Sequence, residues 1–141
     1  MQQCIVCVAV FGPDNSPLFI EKRLDDSNSL KLESLLYSAL FQTRPPTKQN
    51  DFSGCIQKAD QYQIWGYQAS LKYRLLIITK EVQGALMPPS RVKDFCEKVR
   101  DCVFDAILNP FYSPFSPFTS VRFKSQINDL IPTLQPITSN S

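Results

Sequence analysis

The chain has 141 residues and a formal net charge of +2, and 43% of its residues are hydrophobic. This length suits one domain with a real core, and the balanced charge indicates neither a disordered chain nor a general nucleic-acid binder. Histidine is absent, which removes Ser-His-Asp and Cys-His catalytic arrangements and histidine-based metal sites. The four glycines form no phosphate-binding loop.

The cysteines predict reduced thiols rather than disulfides, because there are five of them and no charged leader opens the chain. Cys4 and Cys7 form a CxxC pair, but residues three apart in a strand point to opposite faces. No second pair stands at ligand spacing: Cys96 and Cys102 fall on different faces of a helix, and Cys55 has no base beside it. We therefore expect structural thiols, with neither a bound metal nor redox chemistry.

A β-hairpin is predicted at the start of the chain. Residues 4–11 are apolar on both faces, which is typical of a strand covered on both sides. Turn residues at 12–17 follow, and residues 18–23 form a second strand. The polar neighbours Glu21 and Lys22 place this strand near a sheet edge. No apolar run is long enough to span a bilayer, so we expect no direct membrane insertion.

A first helix is predicted from Leu30 to about Gln42, after a segment rich in possible N-caps. Apolar residues of this helix repeat at three- and four-residue steps and make one stripe: Leu32, Leu35, Leu36, Ala39 and Leu40. Leu30, Tyr37 and Phe41 widen this stripe beyond what one sheet face needs. These three side chains contact either a neighbouring loop or another protein, and both readings stay open.

A polar, proline-bearing loop at 43–54 leads into a meander. Its three predicted strands are 55–60, 62–69 and 72–80. The last strand repeats the apolar pattern of the first strand of the chain, so the two should be central neighbours in the sheet. Gly66 should mark a bulge or a close backbone contact. Core or interface packing is expected for the aromatic residues of the meander, with ligand stacking as the alternative: Trp65, Tyr67 and Tyr73.

Two further helices are predicted in the last third of the chain. Pro88-Pro89-Ser90 opens the stronger one. Its apolar face carries Val92, Phe95, Cys96, Val99, Val103, Ala106 and Ile107. Thr119 and Ser120 can cap the last short helix, which Pro132 ends. Its apolar side carries Phe123, Ile127, Leu130 and Ile131.

The element order ββαβββαα predicts an α+β fold of three layers. In this arrangement the first helix covers one face of an antiparallel sheet and the last two helices cover the other. One domain is expected over residues 1–131, followed by a flexible C-terminal tail at 132–141.

The stretch NPFYSPFSPF, residues 109–118, joins the last two helices and allows two readings. Asn109-Pro110-Phe111 looks like a docking peptide for endocytic adaptor domains, and Ser113 and Ser116 could each accept a phosphate. Pro110, however, ends the preceding helix, and the segment is short and pinned between two helices. We expect a structural connector whose aromatic side chains are available for packing: Phe111, Tyr112, Phe115 and Phe118.

A helix ending in this connector strongly resembles the closing segment of the sedlin family, the small longin-like subunits of the TRAPP vesicle-tethering complex. Residues 4–20 resemble the first hairpin of that family. Residues 60–78 are similar to its meander, and are closest to the sedlin-like branch. The resemblance covers residues 4–131.

The resemblance implies the longin or SNARE-like fold, with a five-stranded antiparallel sheet between one helix and two. It implies a non-catalytic subunit without cofactors, whose partners are other TRAPP subunits and, indirectly, a Rab GTPase. The chain departs from the family at Phe41, where members usually carry an acid, and in its proline-rich loop at 43–54.

We therefore predict an assembly subunit of a TRAPP-type tethering and Rab-exchange complex in ER–Golgi and intra-Golgi vesicle transport. It is expected to be cytoplasmic and to reach ER and Golgi membranes peripherally, through the complex. The expected partner surface consists of Leu30, Tyr37, Phe41, Phe111 and Tyr112.

Two alternatives stay open. One is another longin-type trafficking module, such as a SNARE regulatory domain or an adaptor small subunit, although no heptad segment or membrane anchor follows the domain. The other is a small-molecule enzyme that uses Cys7 or Asp25.

Overall fold

Five antiparallel strands form the central sheet. The computed structural model describes residues 5–12, 16–22, 33–40, 51–59, 62–69, 73–80, 85–112, 117–118, 120–134 and 137–138. The strands are Ile5–Phe11 (β1), Pro17–Lys22 (β2), Asp51–Ala59 (β3), Tyr62–Gln68 (β4) and Arg74–Lys80 (β5). Their order is β2-β1-β5-β4-β3, which confirms that the two most apolar strands are central neighbours and that β2 lies at an edge.

Helices cover both faces of this sheet. Helix α1 spans residues 33–40, α2 spans Pro89–Ile107 and α3 spans Val121–Leu130. The buried side chains of α1 pack with one set of strand residues, which includes Leu76 and Ile78. The buried side chains of α2 and α3 pack with the alternate set, which includes Leu75 and Ile77. Since successive strand residues face opposite sides, the predicted α+β arrangement of one helix against two is confirmed.

The helix termini follow from local sequence. Proline at the first turn of α2 loses no helical hydrogen bond, because the amide groups there have no partner within the helix. Ser120 caps α3, and its hydroxyl accepts a hydrogen bond from the Phe123 N–H at 3.5 Å. As predicted, α3 ends before Pro132, but a 3₁₀ turn at Ile131–Thr133 continues from it. In the described part of the chain, no helix is both long and apolar enough to cross a bilayer.

Strand β3 begins earlier than predicted. Residues 51–54 had been expected to lie in the loop, but they pair with β4 from Asp51 opposite Gln68 onwards. The pairing of β3 with β4 is irregular at two places, one on each side of the Gly54–Gly66 pair. Both bulges are in β3, whereas the bulge predicted at Gly66 would have been in β4. Gly54 has a φ of 78°, a left-handed conformation that glycine adopts without steric cost.

A pairing irregularity between Ile5 and Cys7 corrects the argument about the CxxC pair. Because of it, Val6 and Cys7 both pack on the α1 side of the sheet, and strict alternation cannot be used to place Cys4 opposite Cys7. Cys4 itself lies outside the described residues. Cys7 is fully buried, which agrees with a structural thiol.

Parts of the segment after residue 131 also have defined structure. Leu134 is buried in the core beneath α2 and α3. Two short strands, Ala85–Leu86 (β6) and Ile137–Thr138 (β7), pair antiparallel in a second, small sheet. The division of the chain into a domain at 1–131 and a tail stays a prediction.

Candidate interaction surface

The thiols of the core are poor nucleophiles. Burial raises the pKa of Cys7 to about 12 and that of Cys96 to about 12, so both are protonated at neutral pH. Burial also raises the pKa of the half-buried Cys102. Cys55 is exposed on β3 and its Sγ lies 3.5 Å from the Gln57 carbonyl oxygen. Among the described residues, no three acidic or cysteine side chains are grouped closely enough to hold a metal ion.

The aromatic residues of the meander are part of the core, as predicted. Trp65, Tyr67 and Tyr73 are all buried. The Trp65 indole N–H donates to the Thr79 hydroxyl at 2.9 Å. Arg100 donates to the Tyr67 hydroxyl at 2.8 Å. Burial raises the pKa of Tyr67 above its usual value, against the opposing charge of this guanidinium. These side chains are packed and hydrogen-bonded rather than open to a ligand.

Three of the predicted partner residues lie in the described part of the chain, and they occupy opposite sides of the sheet. Leu30 and Phe41 lie outside the described residues. Tyr37 is on α1, where 37% of its surface is exposed, and its ring meets the Phe11 ring edge-on at a centroid distance of 6.2 Å. Phe111 and Tyr112 follow α2, which packs on the opposite face of the sheet.

Residues 109–112 form a closed β-turn at the end of α2. The Tyr112 N–H donates to the Asn109 carbonyl at 3.0 Å, which closes the turn. The Phe111 N–H donates to the Asn109 side-chain oxygen at 2.9 Å, an additional bond that asparagine can make to its own turn. Pro110 sits at the second position, where its fixed φ suits such turns. The sequence therefore determines this turn locally.

The turn directs its two aromatic residues differently. Phe111 is 94% exposed and is not packed against the domain. Tyr112 is half-buried, and its ring stacks on Phe118 with centroids 5.1 Å apart. Phe118 stacks in turn on Phe123 at 4.8 Å, and its backbone N–H donates to the Leu18 carbonyl at 2.9 Å. The turn is thus fastened to α3 and to the edge strand β2. Phe115 lies outside the described residues.

Most of the exposed large apolar side chains lie at the two helix ends that the connector joins. Four large apolar residues are exposed in the described part of the chain, and apart from Tyr37 they lie at the end of α2 or the start of α3. They are Leu108, Phe111 and Val121. An open cavity of about 510 Å³ lies between these two helix ends and the connector. The Arg122 guanidinium lies 3.5 Å from the Asp105 carboxylate on its rim, so the local charges compensate each other.

The fold is that of a longin-like α+β domain, and among its described residues it exposes one aromatic side chain on each side of its sheet, Tyr37 on α1 and Phe111 after α2. The place of Phe111 in the predicted partner surface requires its exposure, and the residues of the turn explain that exposure. Asparagine and proline at the first two turn positions fix a turn without any tertiary contact, which leaves the third side chain free to point outward.

Comparison with known proteins gives a consistent assignment. Residues 10–133 match the protein family described as Sedlin. Trafficking protein particle complex subunit 2-like protein from Dictyostelium discoideum is 27% identical over 139 residues, covering 92% of this chain and 98% of that protein. Proteins of the same name from Bos taurus and Xenopus tropicalis are 22% identical over 135 residues, covering 89% of this chain and 96% of each relative. Because the family match spans most of the sequence, the chain belongs to the sedlin family, as the resemblance predicted.

Proposed function

We propose that this chain is an assembly subunit of a trafficking protein particle complex and acts in vesicle transport. The observation that carries the proposal is the match to the sedlin family over residues 10–133. It is supported by relatives along nearly the whole chain whose names make them subunits, or subunit-like proteins, of that complex.

The subunit acts by burying apolar side chains against a neighbouring subunit, and it performs no catalysis itself. Tyr37 supports this mechanism, because it is partly exposed while its ring is braced against the buried Phe11. A side chain held in place before binding loses little conformational entropy on association. Leu30 and Phe41 complete this surface in the proposal, and Tyr112 supports the connector by its stacking on Phe118.

The complex acts in ER–Golgi and intra-Golgi transport, and this subunit reaches those membranes from the cytoplasm through its partners. In the proposal, exchange on a Rab GTPase takes place at a site that other subunits build.

A pull-down with the tagged chain tests the proposed surface. The double variant Tyr37→Ser with Phe41→Ser should recover at least about tenfold less of the core subunits, which corresponds to roughly 1.4 kcal/mol of lost binding. Val121→Ser is the matched control, because Val121 is 84% exposed and lies on the other side of the sheet. This control variant should recover the subunits normally.

Both outcomes need a folded chain, which circular dichroism and thermal unfolding establish. Normal recovery by a folded double variant would remove the proposed surface. Failure of the unaltered chain to recover any complex subunit would remove the proposed function as well.

A further inference from the structure

We propose that the turn Asn109-Pro110-Phe111 is a docking ligand for an adaptor domain of the class that binds Asn-Pro-Phe sequences. Such a partner is a small domain with an apolar pocket that accepts the phenylalanine ring at the tip of a turn. This activity is separate from assembly into the complex, and it uses a different part of the chain.

Hydrogen bonds hold the turn in one conformation. The turn is closed by the bond from the Tyr112 N–H to the Asn109 carbonyl at 3.0 Å, and is reinforced by the bond from the Phe111 N–H to the Asn109 side chain at 2.9 Å. Pro110 restricts the backbone further. A ligand that already has its bound shape loses less entropy on binding than a flexible peptide does. The fold therefore presents the three residues in a preorganised form.

The Phe111 side chain is accessible to a partner. Phe111 is 94% exposed and its neighbour Leu108 is 81% exposed, whereas Tyr112 turns inward onto Phe118. The segment is fastened between two helices through Tyr112, and this fastening leaves Phe111 in solvent.

The chemistry of the residues around the turn favours an apolar partner. Asp105 and Arg122 compensate each other beside the turn, so no net charge selects a charged occupant. The exposed group of the turn is a single large aromatic ring, since Phe111 is 94% exposed. An exposed aromatic ring is complementary to a concave apolar pocket, and aromatic anchors buried in such pockets dominate many interfaces. These features favour a pocket-bearing adaptor domain.

A titration of the full chain against one purified adaptor domain, selected for binding Asn-Pro-Phe peptides, tests the proposal by isothermal calorimetry. We expect saturable binding with one-to-one stoichiometry. A synthetic Asn-Pro-Phe peptide should displace the chain from the domain, and its scrambled version should not. Phe111→Ala should weaken the affinity about 30-fold or more, the loss typical of an aromatic anchor. Val121→Ala should change it by less than about twofold, because Val121 is as exposed but lies outside the turn.

A linear peptide with the sequence of residues 106–113 has the same residues without the fixed turn, so its affinity shows how much the preformed turn contributes to binding. It should bind the domain about three- to tenfold more weakly than the folded chain, since it must first adopt the turn. Equal binding of the peptide and the chain would overturn the conformational argument.

Three other results would overturn the docking inference. One is the absence of saturable binding, and another is an equal loss in the Phe111→Ala and Val121→Ala variants. The third is loss of the complex subunits from a Phe111→Ala pull-down, which would assign the ring to assembly and leave the proposed function in place. We expect normal recovery of those subunits by Phe111→Ala, because Phe111 follows α2 on the opposite side of the sheet from Tyr37. This result would remove Phe111 from the partner surface that was expected from the sequence.

Discussion

The phenylalanines of the connector offer a direct test of how this segment is held. Phe118 is 6% exposed and stacks between Tyr112 at 5.1 Å and Phe123 at 4.8 Å. Phe111 belongs to the same segment but is 94% exposed. The same substitution, phenylalanine to alanine, should therefore have very different effects at the two positions.

The expected cost of Phe118→Ala follows from its surroundings. Removing a buried phenylalanine costs about 3–5 kcal/mol of unfolding free energy. The lower end of this range applies, because Phe118 borders an open cavity into which its neighbours can relax, and because alanine keeps the backbone bond to Leu18. A loss of about 3 kcal/mol corresponds to a fall in Tm of roughly 10 °C, taking an unfolding entropy of about 2.1 cal/mol/K per residue over 141 residues.

Urea unfolding followed by tryptophan fluorescence, together with a thermal scan, measures both variants. Phe111→Ala should change the unfolding free energy by less than about 0.5 kcal/mol, as an exposed substitution does. Equal destabilisation by the two variants would refute the assignment of buried and exposed roles within this segment. So would a Phe118→Ala variant as stable as the unaltered chain.

Three further predictions concern the core. Thr79→Val should lower the unfolding free energy by about 1–3 kcal/mol in urea unfolding, because it leaves the buried Trp65 N–H without its acceptor, whereas Thr79→Ser should retain most of the stability. Iodoacetamide at pH 8 should modify Cys55 before Cys7 and Cys96, as read by mass spectrometry, and early labelling of either buried thiol would contradict the structure. The pKa of Cys7 and that of Cys96 are each raised from 9.0 to about 12, so their contribution to stability is complete below pH 9 and is lost as the pH rises towards 12. The double variant Cys7→Ala with Cys96→Ala should flatten this alkaline decline in urea unfolding, and an unchanged decline would count against the assignment.

The sheet could be predicted from sequence because its central strands are apolar on both faces. The runs that became β1 and β5 cannot be exposed in water, and in the fold they lie beside each other under helices on both sides. The start of β3 could not be predicted, because Asp51, Ser53 and Gly54 have low strand propensity. These residues form a strand because they pair with β4, and the strand propensity of a residue contains no information about such a distant partner.

The exposure of individual aromatic residues could be predicted only in part. The apolar stripe of α1 is wider than one sheet face needs, which indicated Tyr37 as an exposed residue, and Tyr37 is partly exposed. All four connector aromatics were expected to be available for packing, and Phe111 and Tyr112 were also placed in the partner surface. Composition alone does not show that Phe111 is exposed and Phe118 is buried. Their directions are set by the hydrogen bonds of the turn at Asn109 and by the bond from the Phe118 N–H to Leu18.

The two outer strands of the sheet are closed off in different ways, and this affects how the protein behaves when it is concentrated. A regular strand edge can template the addition of strands from other molecules, which leads to polymers. The irregularities in β3 interrupt such a template, and the connector amide of Phe118 occupies the Leu18 carbonyl on β2. Copies of the chain at high concentration should therefore resist joining their sheets into a continuous fibre.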